Sequence, residues 1–340
     1  MSHKKSILFR ISGGRAKNKE LGLGHIYRAM NLSMNLQDYQ IHFLVEDYGG
    51  ALNVLKKNKK KHIHRLKNNA DLNEDIEATC TIIDREKIDL LIVDKFDKVT
   101  KSYVTKMKKF IKTVVISDTD KIDYNADLII NGFIGFKNTD KKNRFGTRCL
   151  LGPKYQILSR EYEKNNLKEK NRELILVTFG GYDEQKLVEL FCKQMTPYLK
   201  SLKIKIILGA ATNKTKKLSK LESKFERLSI VQTSSNFKKD IKNCKFGFCS
   251  GGITTYEFAI LHVPFAIICQ YKHQLKTARE WRKNKMALNL GFKNKNLVKK
   301  LQEILLELST NSSKFNFDSD LKIDGLGSKR VCTEIKKILN

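Results

Sequence analysis

The stretch Lys245-Phe246-Gly247-Phe248-Cys249-Ser250-Gly251-Gly252-Ile253-Thr254-Thr255-Tyr256-Glu257 decides the fold. A short apolar run stops at a serine and two glycines, and an amphipathic helical pattern over 253–261 follows directly. Strand, glycine turn, helix start is the unit from which parallel α/β sheets are built. The same form stands near the beginning. There a strand over 6–11 and the loop Ser12-Gly13-Gly14-Arg15 lead to Gly22-Leu23-Gly24-His25-Ile26-Tyr27-Arg28, which opens a helix over 25–36. Working outward, the first half places strands over 41–46, 62–65, 90–94, 113–117 and 128–131, with helices over 73–86 and 101–111 between them. Residues 138–148 are polar and loop-like, and 161–172 are highly charged without a sustained apolar face. The alternation then restarts, with strands over 174–178, 203–208, 229–232 and 265–269 and helices over 185–195, 214–224, 237–243 and 274–290. Further helices are expected over 297–308 and 328–339. Two successive open α/β domains present their ligand crevices at the carboxyl ends of the strands.

Composition bounds the rest. A chain of 340 residues suits two domains. No window approaches the 18 or so apolar residues of a membrane-spanning helix, and the apolar stretch after Lys5 is too short for a signal-peptide core, so a cytoplasmic protein is expected. Seven scattered cysteines without a C-x-x-C pair read as reduced thiols, not as a disulfide framework or a zinc site. The net charge of +30 comes mainly from lysine runs such as 56–61 and 214–217. These are solvated faces first. A weak association with an anionic membrane surface is a second use of them. Nucleic acid is not expected as a partner, because the runs lack interleaved aromatics and Trp occurs once.

Four constellations carry chemistry. Gly24 and His25 sit where a helix N-terminus offers free N–H groups. A neutral imidazole there can take a proton, so His25 is a candidate general base; the spacing equally suits a glycine-rich turn with a surface histidine. At Gly251, Gly252, Thr254 and Thr255 the backbone amides and hydroxyls suit a diphosphate, and Glu257 one turn on suits a ribose diol. The same residues also make an ordinary glycine-tightened turn. Phe179-Gly180-Gly181-Tyr182-Asp183 permits close approach of a sugar or phosphate, with Asp183 placed to cap the next helix. Tyr271-Lys272-His273-Gln274 puts polar groups at a strand's carboxyl end.

In register, these motifs resemble the UDP-sugar hydrolases of pseudaminic acid biosynthesis and the related spore-coat polysaccharide proteins, relatives of the peptidoglycan N-acetylglucosaminyltransferase that forms lipid II. Gly22-Leu23-Gly24-His25 with Arg28 is similar to a G-x-G-H-x-x-R motif. Leu151-Gly152-Pro153-Lys154-Tyr155 followed by Arg160 is similar to G-x-x-Y-x-x-x-R. Phe179-Gly180-Gly181 and the run from Gly251 to Glu257 are similar to F-G-G and G-G-x-T-x-x-E, and Asp324-Gly325-Leu326-Gly327 with Arg330 is similar to D-G-x-G-x-x-R.

The resemblance implies a GT-B fold: two Rossmann-like parallel-sheet domains facing across a cleft, at 1–150 and 173–322. Residues 151–172 would connect them, and the closing helix, within 323–340, would cross back to the first. It implies UDP on Gly251, Thr254, Thr255 and Glu257, with His25 activating water near the anomeric carbon. No cofactor and no metal are needed, and a monomer is expected. By the same likeness Gly24, Arg28, Phe96, Gly180, Gly181, Gly252 and Gln274 line the substrate site. Two positions depart from the pattern. A D-H-Y segment here reads Asp94-Lys95-Phe96, and an Asn before Gln is replaced by His273 before Gln274. Phe96 has no hydroxyl to offer a substrate; His273 can orient a sugar or water or act in acid/base catalysis. The expected reaction is hydrolysis of a UDP-linked deoxy-diacetamido sugar to UDP and free sugar. The alternatives are a UDP-sugar-dependent glycosyltransferase with a glycan or lipid-linked acceptor, and a non-catalytic nucleotide-sugar or nucleic-acid binding protein.

Overall fold

The structure is a computed structural model and describes residues 4–14, 22–95, 100–163, 172–210, 212–310, 315 and 321–340. The chain divides into two compact units, Met1–Glu163 with Asp324–Asn340, and Lys164–Ile323.

The first unit is built on β1 (Ser6–Gly14), β2 (Gln40–Tyr48), β3 (Ile63–Leu66), β4 (Ile88–Asp94), β5 (Thr113–Ile116), β6 (Leu128–Asn131), β7 (Thr139–Lys142) and β8 (Arg148–Leu151). They form one sheet in the order β3-β2-β1-β4-β5-β6-β8-β7, parallel except for β7. Every residue of β1 is buried, as expected for a central parallel strand covered on both faces. Helices α1 (Gly24–Ser33), α2 (Ala51–Lys57), α3 (Leu72–Glu86) and α4 (Thr100–Met107) alternate with the strands. A capping box starts α3: Asp71 accepts from the backbone of Asn73 and Glu74, and Glu74 accepts from that of Asp71.

Three features differ from the sequence reading. Residues 138–148, read as loop, carry β7 and the start of β8 as an antiparallel hairpin; its exposed Asp140, Lys141 and Lys142 hide the strand pattern and blunt the sheet edge. Helix α2 was not anticipated. Residues 151–163, read as part of a connection, pack in the first unit through buried Tyr155, Ile157, Leu158 and Tyr162.

A charged cluster lies inside this unit. Arg10 on β1 is fully buried and binds Asp75 of α3 through two bonds (2.7 and 2.9 Å). Lys95 Nζ reaches the same carboxylate at 2.6 Å, and Glu46 approaches Arg10 at 3.3 Å. Burial alone would raise the Asp75 carboxyl; Arg10 and Lys95 outweigh it and hold it below the ordinary carboxylate range.

The closing helix α11 (Gly327–Leu339) belongs to the first unit. Ser328 Oγ donates to Leu158 O (2.7 Å), and Arg330, paired with Asp324, donates to Lys154 O (3.0 Å). A side chain at Gly327 would meet Gln156 O at 2.0 Å, so only glycine lets the two backbones touch.

The second unit has six strands, β9 (Leu174–Thr178), β10 (Lys203–Ile207), β11 (Leu228–Val231), β12 (Cys244–Cys249), β13 (Phe265–Cys269) and β14 (Ala287–Phe292), in the all-parallel order β11-β10-β9-β12-β13-β14. Its helices are α5 (Leu187–Met195), α6 (Lys216–Glu222), α7 (Phe237–Lys242), α8 (Thr254–Ile260), α9 (Gln274–Lys283) and α10 (Lys295–Thr310). The helix expected over 274–290 is in fact α9 and β14. It stops because Lys285 turns left-handed (φ 53°), and Ala287–Phe292 then pairs with β13.

Removing one partner of a buried ion cluster strands the others. Asp75→Ala is expected to destabilise the chain by about 3–5 kcal/mol in urea unfolding. A loss under about 1 kcal/mol would show the Arg10 cluster to be energetically idle.

Candidate functional site

Each unit gathers its candidate residues at a point where the strand order reverses. In the first unit the chain runs from β1 to β2 on one side and later returns to β4 on the other, which opens a crevice beyond the carboxyl ends. Asp94, the last residue of β4, sits there wholly buried. It accepts hydrogen bonds from His25 Nδ1 (2.6 Å), Arg28 Nε (2.8 Å) and Arg28 Nη2 (2.5 Å). Arg28 continues to Asp118, just past β5, through Nη1 (2.6 Å) and Nη2 (3.0 Å). Gly24 and His25 begin α1, whose start carries no side-chain cap, and Arg28 follows one turn later.

These contacts assign the imidazole tautomer. Arg28 Nη2 also lies 3.1 Å from His25 Nδ1, but its two hydrogens already face Asp94 and Asp118. An ionised carboxylate only accepts and a guanidinium only donates. Nδ1 therefore carries the hydrogen and gives it to Asp94, which leaves the Nε2 lone pair as the proton acceptor. Burial alone would raise the Asp94 carboxyl; Arg28 and His25 outweigh it and hold it below the ordinary range. Burial likewise opposes the Arg28 charge, and Asp118 and Asp94 more than restore it. The arrangement is an oriented base backed by a charged carboxylate.

In the second unit the reversal falls between β9 and β12, where Phe179-Gly180-Gly181 and Ser250-Gly251-Gly252 end the two strands. Gln270, one residue beyond β13, ties these turns together. Its Nε2 reaches Phe179 O (2.6 Å), Tyr182 O (3.2 Å) and Ser250 Oγ (3.2 Å), and its backbone N–H donates to Gln274 Oε1 (2.8 Å). A side chain at Gly251 would come within 2.9 Å of Gln274 Cβ, so glycine is required for that approach. Asp183 accepts from Leu187 and Val188 N–H (2.8 Å each) and thereby caps α5.

The remaining predicted residues of this unit are placed as follows. Gly180 and Gly252 are exposed, and Gly181, Thr254 and Glu257 are half-buried. Thr255 is buried, and its hydroxyl donates to Gly252 O at 2.7 Å, so it braces the turn. The start of α8 has no side-chain cap. The His273 ring stacks on Tyr271 (centroids 5.8 Å apart, 13° between planes) just before α9. Phe96 lies outside the described residues.

Three participants were not named as site residues from sequence: Asp94, Asp118 and Gln270. Their shared signal is a polar residue at, or just beyond, the carboxyl end of an apolar strand. Among the described residues, the one convergence of three metal-ligating atoms lies elsewhere, at His42, His64 and Glu86.

With this geometry in hand, the likenesses to known proteins are informative. No family model matches the chain. An uncharacterized protein of Methanocaldococcus jannaschii is 24% identical over 273 residues, 75% of this chain, and the match spans only 54% of that protein's length. The spore coat polysaccharide biosynthesis protein SpsG of Bacillus subtilis is 25% identical over 293 residues, covering 80% of this chain and 81% of SpsG. Among solved structures, MurG of Acinetobacter baumannii superimposes with a TM-score of 0.63 at 12% identity, covering 98% of this chain and 99% of MurG. MnaA of S. aureus, solved with UDP, gives 0.64 at 15% identity over 99% of this chain and 97% of MnaA. The UDP-GlcNAc 2-epimerase of Neisseria meningitidis, bound to UDP-GlcNAc, gives 0.61 at 11% identity over 98% of this chain and the whole of that one. The fold is therefore that of the GT-B glycosyltransferases: two α/β units with parallel sheets.

Two stability measurements check the geometry. Gln270→Leu strands the backbone acceptors of Phe179 and Tyr182 and is expected to cost on the order of 2–3 kcal/mol in denaturant unfolding; a neutral result would mean the turns hold without it. The lowered Asp94 carboxyl stabilises the fold fully above the unfolded value of about 3.9, and this support fades as pH falls toward the lower folded value. Asp94→Asn should therefore flatten the dependence of stability on pH below about 5; equal slopes in both proteins would remove Asp94 from the ion network's energetics.

Proposed function

We propose that this chain is a nucleotide-sugar hydrolase that splits a UDP-linked acetamido sugar of the deoxy-diacetamido class into UDP and free sugar, in surface polysaccharide or nonulosonic acid biosynthesis. The observation that carries the reading is the Asp94–His25 pair, 2.6 Å apart, at the start of α1. The motif resemblance and the UDP and UDP-GlcNAc named with neighbours of the same fold support a UDP-sugar as substrate.

In this reading the second unit binds the nucleotide. The turns at Gly180, Gly181 and Gly251, with Thr254 at the uncapped start of α8, offer backbone N–H groups to the diphosphate, Gly252 closes its turn by donating to Ser250 O (2.8 Å), and Glu257 offers its carboxylate to the ribose. Gln274 and His273, just beyond β13, meet the sugar. In the first unit, His25 Nε2 takes a proton from water while Nδ1–H stays on Asp94. The water oxygen bonds to the anomeric carbon as the bond from that carbon to the UDP oxygen breaks. Negative charge moves onto UDP, where preorganised N–H groups stabilise it at no reorganisation cost. Arg28 keeps Asp94 ionised and so keeps the base in its accepting tautomer.

The same base can deprotonate a carbohydrate hydroxyl, the transfer reading, which is compatible with the GT-B fold. Purified protein given acetamido UDP-sugars without acceptor is expected to release UDP and free sugar, with oxygen from labelled water on the sugar. UDP release that appears only with an added glycan or lipid-linked acceptor would assign the base to transfer. No turnover with either would leave a binding protein. His25→Ala should abolish turnover with UDP binding retained, and Asp94→Asn should lower kcat by about 10²–10⁴ through loss of the oriented tautomer. Unchanged kcat in Asp94→Asn would overturn the proposed base.

A further inference from the structure

Three histidines occupy the outer edge of the first sheet, away from the switch point. His42 on β2 is fully buried. His62 precedes β3 and His64 lies within it, and β3 is the edge strand. The His42 ring stacks on His64 (centroids 5.5 Å apart, 6° between planes) and is tilted against His62 (4.7 Å, 32°). Glu86, the last residue of α3, comes in from a third element. The ligand atoms of His42, His64 and Glu86 all lie within 4.8 Å of one another. His42 Nδ1 and His64 Nε2 are 3.2 Å apart. Two nitrogens bound to one tetrahedral zinc at 2.0–2.1 Å would be about 3.3–3.4 Å apart, so the pair already stands near a coordination edge.

From these contacts we propose that His42, His64 and Glu86 form a binding site for one divalent transition-metal ion of the zinc type, with the remaining position open to water. The protonation pattern fits. Arg85 Nη2 lies 3.1 Å from His64 Nδ1 and can only donate, so in the metal-free chain the hydrogen of His64 is on Nε2 and faces His42 Nδ1. His42 then carries its own hydrogen on the buried Nε2, which has no hydrogen-bond partner among the described residues. Its Nδ1 lone pair is thus directed at the cluster before any ion arrives. Burial, with His62 and His64 nearby, pushes His42 down to about 4, and burial pushes His64 down as well. A hydrogen bond from Arg85 leads the effects that hold Glu86 below the ordinary range. Metal binding takes two neutral imidazoles and a carboxylate, and it displaces the hydrogen on His64 Nε2. A plain His–His hydrogen bond accounts for the first two groups, and Glu86 adds a carboxylate oxygen within 4.8 Å of both ligand nitrogens.

Two nitrogens and one oxygen suit zinc over the oxygen-preferring calcium or magnesium. Arg85 is the competitor. It donates to Glu86 Oε1 at 2.9 Å and must release His64 Nδ1 when the ion displaces the hydrogen on Nε2. An ion here would clip the short edge strand to β2 and α3. The site is independent of the UDP-sugar reading, and a metal-free reaction at His25 is compatible with it.

The test is a Co²⁺ titration of metal-stripped, tag-free, full-length protein, followed by Zn²⁺ displacement. One equivalent of Co²⁺ with the intense visible bands of tetrahedral coordination is expected, displaced by Zn²⁺. Second-shell partners alone are worth about 10–100-fold in metal affinity, so His64→Ala and Glu86→Gln should each weaken binding at least tenfold. Arg85→Gln should bind the same or more tightly. Saturating Zn²⁺ should raise the unfolding midpoint of the wild-type chain and leave that of His64→Ala unchanged. No binding at one equivalent, or an affinity unaltered by His64→Ala and Glu86→Gln, would overturn the site.

Discussion

The buried carboxylate of Asp94 is the constraint from which the first unit's site follows. A charge without access to water must be paired, and among the described residues its partners, His25 and Arg28, both come from α1. Three bonds fix the entry of that helix relative to β4 and fix the imidazole tautomer at once. Removing Arg28 from this set would raise the Asp94 carboxyl and weaken the acceptor that holds the hydrogen of His25. Structure and chemistry therefore cannot be separated at this point of the chain.

The second unit solves a different problem with neutral groups. Two glycine turns lie side by side at the carboxyl ends of β9 and β12, one of them closed by Gly252 N–H on Ser250 O. Glycines provide the close approach but no cohesion. Gln270 supplies the cohesion from a neighbouring strand end, since one carboxamide reaches acceptors on both turns. It consumes carbonyl and hydroxyl oxygens and spares N–H groups. An anion site can be braced this way without spending its donors.

How far this was legible in the sequence depends on the range of the interaction. Strands over 128–131, 174–178 and 265–269 match the observed elements residue for residue, because continuous apolar runs between turn signals leave little choice. The β7 hairpin was hidden because Thr139–Lys142 pairs at an edge, where lysines are favoured and no apolar alternation is needed. The break between α9 and β14 was hidden because amphipathic periodicity carries through Lys285, and only the pairing with β13 selects the strand. His25, Arg28 and the glycines were visible as motifs. Asp94, Asp118 and Gln270 were not, because each acquires its role from side chains or turns of other elements far along the chain. The Arg10–Asp75 pair was hidden for the same reason: a charged residue inside a central strand conflicts with local pattern and is reconciled only by tertiary pairing.

That second ion cluster also bears on the first. Asp94 and Lys95 are adjacent, and each is committed to a different network: Asp94 to Arg28 of α1, Lys95 to Asp75 of α3. Successive residues leaving a strand face opposite ways, so β4 is pinned on both faces at its last step. A neutral anchor would hold position but not charge state. With Lys95 and Arg10 set against Asp75 and Glu46, the α3 side is balanced by its own carboxylates and draws nothing from Asp94. On the α1 side, the Arg28 guanidinium is shared between Asp94 and Asp118, and His25 gives its Nδ1 hydrogen to Asp94. The strand end is thus held through Lys95 on one face and through Asp94 on the other, and the second of these contacts is the one that orients His25.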